Sequence, residues 1–180
     1  MTNVFLYSPR LLFVAATSTL LQIELASTEK LAQLLNVATP ADWPPGEYDQ
    51  SAMQFFLDGL RAGGPGAVGW YSWYIIAYPT ATTPATLVAA AGYVGPPDET
   101  GTIEIGYSVS EEWRRQGIAT EIVAQLVTNA WQHENVKRIT AHTQPDGVAS
   151  IGVLTKNGFN QIDSDVPEIL CFELLPAEES

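Results

Sequence analysis

The stretch Trp113-Arg114-Arg115-Gln116-Gly117-Ile118-Ala119-Thr120 decides how the chain is read. Before it, Ile103, Ile105, Tyr107 and Val109 alternate with Glu104, Gly106 and Ser108, which predicts a strand over 103–109 with two unlike faces. After it comes the clearest helical pattern in the sequence. Ile118, Ile122, Leu126 and Ala130 form one four-residue row, and Ala119, Val123, Val127 and Trp131 the row beside it. A loop between a strand and a helix N-terminus presents unpaired N–H groups and the positive end of a helix dipole, which suits a phosphate. Gly117 lets the backbone approach an anion, and small Ala119 avoids crowding it. Two of the chain's five arginines stand just before this turn. The plainer alternative is a tight helix start with arginines reaching into solvent. The loop itself carries neither the nucleoside-triphosphate pattern G-x-x-x-x-G-K-[ST] nor the dinucleotide pattern G-x-G-x-x-G.

Working outward, Arg138–Thr143 reads as a strand, Val148–Lys156 as a helix closed by Asn157-Gly158, and Phe159 onward as strand again. Strand, helix, strand, helix, strand after residue 103 implies an α/β layer with a parallel crossover. Toward the N-terminus, Arg10–Val14 reads as a first strand, followed by a helical region with Leu31, Leu34 and Leu35 on one side and Pro40 as its stop. Asp42-Trp43-Pro44-Pro45-Gly46 is a loop, because its prolines and glycine remove donors and helical dihedrals. Ser51 with Gln54 resembles a capping box for a helix carrying Met53, Phe56, Leu57 and Leu60, ended by Gly63-Gly64. Strands around Trp70–Tyr78 and Thr86–Val94 follow.

The chain has 180 residues, 46% of them apolar and 16% charged, enough for one globular domain spanning 1–180 without disulfide or metal. The single cysteine, Cys171, excludes an internal disulfide framework, and its apolar neighbours predict a core residue. A net charge of −12 disfavours nucleic-acid binding and favours cationic molecules. No apolar run is long enough to cross a bilayer and the start lacks a signal-like pattern, so a soluble, cytoplasmic protein is expected, with no membrane partner.

Arg114-x-x-Gly117-x-Ala119 resembles the Q/R-x-x-G-x-G/A signature of the GNAT (GCN5-related) acetyltransferases. Ile103-Glu104-Ile105-Gly106-Tyr107 and Ala119-Thr120-Glu121 are similar to the flanking pattern of the RimJ/RimL-like ribosomal-protein N-acetyltransferase branch. Ala141-His142-Thr143, the run Ser150-x-x-Val153-Leu154-x-Lys156-x-Gly158-Phe159 and Pro9-Arg10-Leu11 also fit it. The resemblance is firmest over 101–160.

It implies an α/β GNAT fold, a mixed sheet of six or seven strands splayed in the middle with helices on both faces, and acetyl-coenzyme A in the gap as cosubstrate. Tyr107, Ser108 and Val109 would pair with the pantetheine arm. Arg114, Arg115, Gln116, Gly117, Ile118, Ala119 and Thr120 would cradle the pyrophosphate, with Ser150 nearby. The implied reaction is acetyl transfer to a primary amine, of a peptide N-terminus or a small molecule, by direct attack in a ternary complex, without a metal. The protein would be a monomer or homodimer.

Glu104 is similar in place to the superfamily's catalytic glutamate. A carboxylate among isoleucines and aromatic rings would be poorly hydrated, which favours proton uptake. The alternative is a solvent-facing or salt-bridged glutamate. The sequence departs from the pattern twice. Leu154 stands where many relatives place the tyrosine that reprotonates the thiolate, leaving Tyr107, Tyr93 and Ser150 as candidates. Gly147 replaces the usual Asn, with Asp146 beside it. His142 is either a base or a structural residue, and His133, at a helix end where a cation favours the dipole, is read as structural. Trp43 is the aromatic candidate for the acceptor pocket, whereas Trp70, Trp73 and Tyr74 read as core. The two departures keep open a catalytically silent acyl-coenzyme A-binding module.

Overall fold

The computed structural model describes residues 4–177. Eight strands form a single sheet in the order β1 (Phe5–Tyr7), β2 (Leu11–Ala15), β3 (Ser72–Ala77), β4 (Thr86–Tyr93), β5 (Thr102–Val109), β6 (Arg138–Thr143), β8 (Leu170–Leu174) and β7 (Asn160–Ile162). Every pairing is antiparallel except β5 with β6, which α4 (Ile118–Ala130) joins by the expected crossover. The sheet exceeds the expected six or seven strands. β1 escaped notice because it is three residues long, with Phe5 and Tyr7 exposed on an edge.

Helices lie on both faces. On one, Ile103, Ile105 and Val109 of β5 meet Ile118, Ile122, Val123 and Leu126 of α4, all buried; the two four-residue rows read from the sequence are the stripe that packs. On the other, α1 (Ser18–Ala26), α2 (Thr28–Leu35) and α3 (Gln50–Gly63) cover Tyr74, Ile76, Leu87 and Ala90. Thus Trp73 and Tyr74, adjacent on β3 and fully buried, serve opposite faces.

Local chemistry sets the helix ends. The helical region before Pro40 is two helices, because Ser27 interrupts it and accepts from the N–H of Lys30 as the cap of α2. Leu31 is buried, but Leu34 is 59% exposed, so the leucine row is not one buried face. At α3 the expected Ser51–Gln54 box does not form. Asp49 caps the helix by accepting from the N–H of Ala52, and Gln54 donates to Asp58 on the outer surface. A carboxylate two residues earlier wins because the chain leaves extended geometry at 49. Gly64-Pro65-Gly66-Ala67-Val68-Gly69 has the G-x-G-x-x-G spacing, yet it forms a 3₁₀ turn after a helix and before a strand, the reverse of a dinucleotide-binding turn.

Leu126 is fully buried between α4 and the sheet. Leu126→Ala should lower stability by about 2–5 kcal/mol through lost burial and an unfilled cavity, read from urea unfolding midpoints.

Candidate active site

β5 and β6 pair only at Thr102–Arg138, Ile103–Ile139 and Glu104–Thr140. Beyond that point β5 continues against β4 as far as Val109, and β6 continues against β8 as far as Leu170. The two strands therefore part, and the facing edge of β5 over 105–109 is left without a strand partner. The opening is a cleft of about 560 Å³ lined by Ile105–Val109, Ala141–Thr143 and the first turn of α5 (Val148–Lys156). Arg114 and Ala119 line its end toward α4.

At that end, Gly117 adopts φ 76° as the residue before α4, and Arg115 is also left-handed at φ 58°. The backbone N–H groups from Arg115 to Thr120 donate to no acceptor among the described residues. They are the free amides of a helix start, turned into a nest by the two positive φ angles. The arginines divide their work. Arg114 Nε donates to the carbonyl of Val109 at 2.9 Å, tying the loop to the end of β5, while Arg115 is exposed.

A third arginine reaches the loop from the β1–β2 turn. Arg10 Nη1 donates to the carbonyl of Gln116 at 2.8 Å, and a Cβ placed on Gly117 would lie 3.4 Å from Arg10 Nη2. Glu121, in the first turn of α4, holds this arginine. Its carboxylate accepts from Arg10 Nε at 2.6 Å, from the Arg10 backbone N–H at 2.9 Å and from Ser8 Oγ at 2.6 Å. Partial burial pushes the Glu121 carboxyl up, but these bonds from Ser8 and Arg10 outweigh it and hold it below its usual range. Sequence reading found Pro9-Arg10-Leu11 only as a resemblance, since a residue more than a hundred positions away gives no local signal.

On the α1–α3 side of the sheet, a smaller cavity of about 170 Å³ adjoins the cleft. Gly106, Tyr107, Ser108 and Glu47 line both cavities. Tyr48, Ala52, Phe56, Ser72 and the end of β4 from Ala90 line the rest of the smaller one, whereas Trp43, the aromatic expected there, lies outside it and points its indole N–H at Glu24. Trp70 and Trp73 are core residues as expected, and Cys171 is buried, where loss of hydration raises its thiol above the usual range.

The candidate proton carriers separate clearly. Glu104 is half-exposed and accepts from His142 Nδ1 at 2.8 Å; it is not enclosed by apolar side chains, and His142, not Glu104, lines the cleft. Tyr93 is buried with its hydroxyl donated to the carbonyl of Leu126 and accepting from Asn129, and burial pushes it far above the ordinary phenol range; it lines the smaller cavity but not the cleft. Tyr107 spans the opening, its hydroxyl 3.4 Å from the Ser150 carbonyl, and burial raises it too. Leu154 is buried and faces the core rather than the cleft. A Cβ on Gly147 would come within 2.5 Å of Thr143 Oγ1, so the usual Asn has no room here unless Thr143 moves. Asp146 lines the cleft beside it. His133 is structural, as expected: its ring lies 4.6 Å from that of Trp70, and burial lowers its pKa toward the neutral form, so packing rather than a helix-end charge holds it. Among the described residues no group of three His, Cys, Asp or Glu side chains is placed to hold a metal.

The model of the acetyltransferase (GNAT) domain matches residues 18–160. The chain belongs to the GNAT family. A GNAT relative, the uncharacterized N-acetyltransferase YjdG of Bacillus subtilis (strain 168), is 32% identical over 125 residues, 69% of this chain and 71% of its own. Among solved structures, this GNAT domain superposes on the ribosomal-protein-S5-alanine acetyltransferase of Vibrio fischeri with TM-score 0.65 and 14% identity, covering 98% of each chain. It superposes on RimL, a ribosomal L7/L12 alpha-N-protein acetyltransferase in complex with coenzyme A, with TM-score 0.62 and 16% identity over 97% of each. The eight-stranded mixed sheet is thus the GNAT fold, shared with RimL and its like at low identity.

Two results would test this geometry. Gly117→Trp and Arg10→Ala should each weaken coenzyme A binding at least tenfold, about 1.4 kcal/mol, by calorimetry. Because folding lowers the Glu121 pKa from the usual 4.5, its contribution to stability is present above that value and lost as pH falls through the folded one. The gap in thermal midpoint between wild type and Glu121→Gln should therefore shrink on acidification below that usual value.

Proposed function

We propose that this GNAT protein is an acetyl-coenzyme A-dependent N-acetyltransferase that acylates a primary amine, of a peptide N-terminus or a small molecule, by direct attack in a ternary complex. One observation carries the reading: the parting of β5 and β6 opens a cleft that runs to the free amides of residues 115–120. The residues fit coenzyme A. A diphosphate would be held by main-chain N–H groups around Gly117 with Arg10 and Arg115 supplying positive charge in an otherwise acidic protein. The amide-bearing arm would add to the free edge of β5 at Tyr107, Ser108 and Val109, as an extra strand does. Ser150, at the opposite wall, would lie beside that arm. Acetyl-coenzyme A supplies the thioester carbon on which the amine acts.

The chain's own residues have three tasks. A protonated amine must lose a proton before it attacks, and an imidazole is suited to accept one near neutral pH. His142 is the side chain in the cleft that can do so, and Glu104, bonded to Nδ1, fixes its ring and leaves Nε2 toward the opening. Glu104 thereby keeps its place in the reaction as the positioning partner of the base. Developing negative charge on the carbonyl oxygen calls for fixed donors, which the free edge of β5 offers. Tyr107, lining both cavities, is the candidate to return a proton to the departing sulfur. The acceptor enters from the smaller cavity, so amine and cosubstrate meet at Gly106–Ser108 from the two sides of the sheet.

His142→Ala should lower kcat for acetyl transfer by about 10² or more. Glu104→Gln should lower it less, and the double variant should be no worse than His142→Ala. Coenzyme A affinity should stay unchanged throughout. The assay is acetyl-coenzyme A consumption against a panel of peptides and small amines, with products identified by mass. Coenzyme A binding without acetylation of any amine by the wild-type protein would refute the enzyme and favour a silent binding module.

A further inference from the structure

Glu24 lies on α1 with 3% of its surface exposed, and no cation pairs with it among the described residues. Its carboxylate is met by three neutral donors. Trp43 Nε1 donates to Oε1 at 2.9 Å, and the hydroxyls of Tyr48 and Tyr74 both donate to Oε2 at 2.7 Å. Burial raises the Glu24 pKa, and the bonds from Tyr74, Tyr48 and Trp43 only partly offset it. A desolvated carboxylate without a counter-charge is costly, and nothing in the packing of α1 on the sheet requires one there. Such a group persists where it specifies an arrangement that apolar contacts would leave loose.

The donors show which arrangement. Tyr74 belongs to β3, whereas Trp43 and Tyr48 bracket the segment Trp43-Pro44-Pro45-Gly46-Glu47-Tyr48, which crosses the open half of β5. A Cβ on Gly46 would lie 3.3 Å from Ser108 Oγ, so the segment rests on the strand itself. Its backbone bonds close only local turns, Trp43 to Pro40 and Tyr48 to Pro45, and none reaches a strand. Side chains hold it instead. Asp42 accepts from the N–H of Glu111 at 2.8 Å at one end, and Glu24 grips Trp43 and Tyr48. What the segment presents is Tyr48 in the wall of the smaller cavity and the exposed carboxylate of Glu47 where the two cavities join. Ser72 Oγ, buried in the same wall, approaches the Tyr48 hydroxyl without completing a hydrogen bond.

We infer that Glu24 is the positioning residue of the acceptor side: by gripping Trp43 and Tyr48 it fixes the 42–48 segment against β5, and so places the Glu47 carboxylate to receive an acceptor that arrives as an alkylammonium. The inference rests on the acetyltransferase reading for its acceptor, but the grip itself is independent of it. A carboxylate at the cavity junction draws the cation in from an acidic surface, and His142 then takes its proton.

Glu24→Gln keeps the shape but leaves one acceptor oxygen for three donors, and Tyr48→Phe keeps the ring and loses the donor. In both variants amide exchange over 42–48 should rise by about tenfold while exchange over 104–120 is unchanged. KM for the amine should rise by about tenfold with kcat and the KM for acetyl-coenzyme A nearly constant, and the double variant should fall short of the summed effects. Glu47→Gln should raise KM for the amine without altering exchange over 42–48. Unchanged exchange over 42–48 in both grip variants would overturn the inference, as would a parallel rise in both KM values. If Glu24→Gln does not fold, Tyr48→Phe decides by the same measurements. If the wild-type protein acetylates no amine, the function fails on that ground, while exchange over 42–48 still decides whether Glu24 holds the segment.

Discussion

Backbone hydrogen bonding in the interior of a sheet is normally complete, and the constraint on which this molecule turns is that it is not complete here. β5 and β6 share a parallel ladder for three residues, Thr102 to Glu104, and then separate while each remains bonded to its outer neighbour. Polar groups left open in a sheet must find water or a ligand. The cleft, the placement of α4 at its end and the meeting of two cavities at Gly106–Ser108 all follow from that separation. It also gives the alternation of β5 a double use. Ile103, Ile105 and Val109 anchor the strand to α4, while Gly106 and Ser108, on the other face, form the floor on which the 42–48 segment and an acceptor are placed.

Charge is arranged against the background of the whole chain. A net −12 would repel a diphosphate, and the molecule answers with local positive charge: Arg10, Arg114 and Arg115 gather at one helix start. Only Arg114 and Arg115 are neighbours in sequence. Arg10 is aligned by Glu121, so a carboxylate near the anion site acts by orienting an arginine rather than by opposing the ligand. Glu47, which lines both cavities, belongs to the acidic excess and would favour a cation in the proposed reaction.

The proton-transfer chemistry illustrates how far a pattern of residue types carries. Glu104 was legible as a strand carboxylate just before the opening, and His142 as an isolated histidine on a strand. Their pairing at 2.8 Å depends on the short parallel ladder that sets Glu104 opposite Thr140 and brings His142 to the same face. The missing Asn at 147 has a similarly local cause in space and none in sequence, since Thr143 fills the room its side chain would need. Leu154 in place of a tyrosine marks a position given to the core.

The sequence by itself determined the elements whose periodicity is long or whose ends are chemically marked. β6 and α5 fall on the expected residues, α4 buries the Ile118 row and packs the partly buried Ala119 row beside it, and the Gly117 turn is left-handed as its role requires. Hydrophobic period and turn chemistry are local properties, and the chain writes them in consecutive residues. Tertiary structure alone decided where β5 and β6 part, that Arg10 reaches the Gln116–Gly117 loop, that Glu24 binds three aromatic side chains from β3 and the 42–48 segment, and that His142 rather than Glu104 faces the cleft. Each joins residues separated by between 19 and 111 positions. Hydrogen bonds at such separations are created by the crossing of elements, and composition or spacing along the chain carries no record of them.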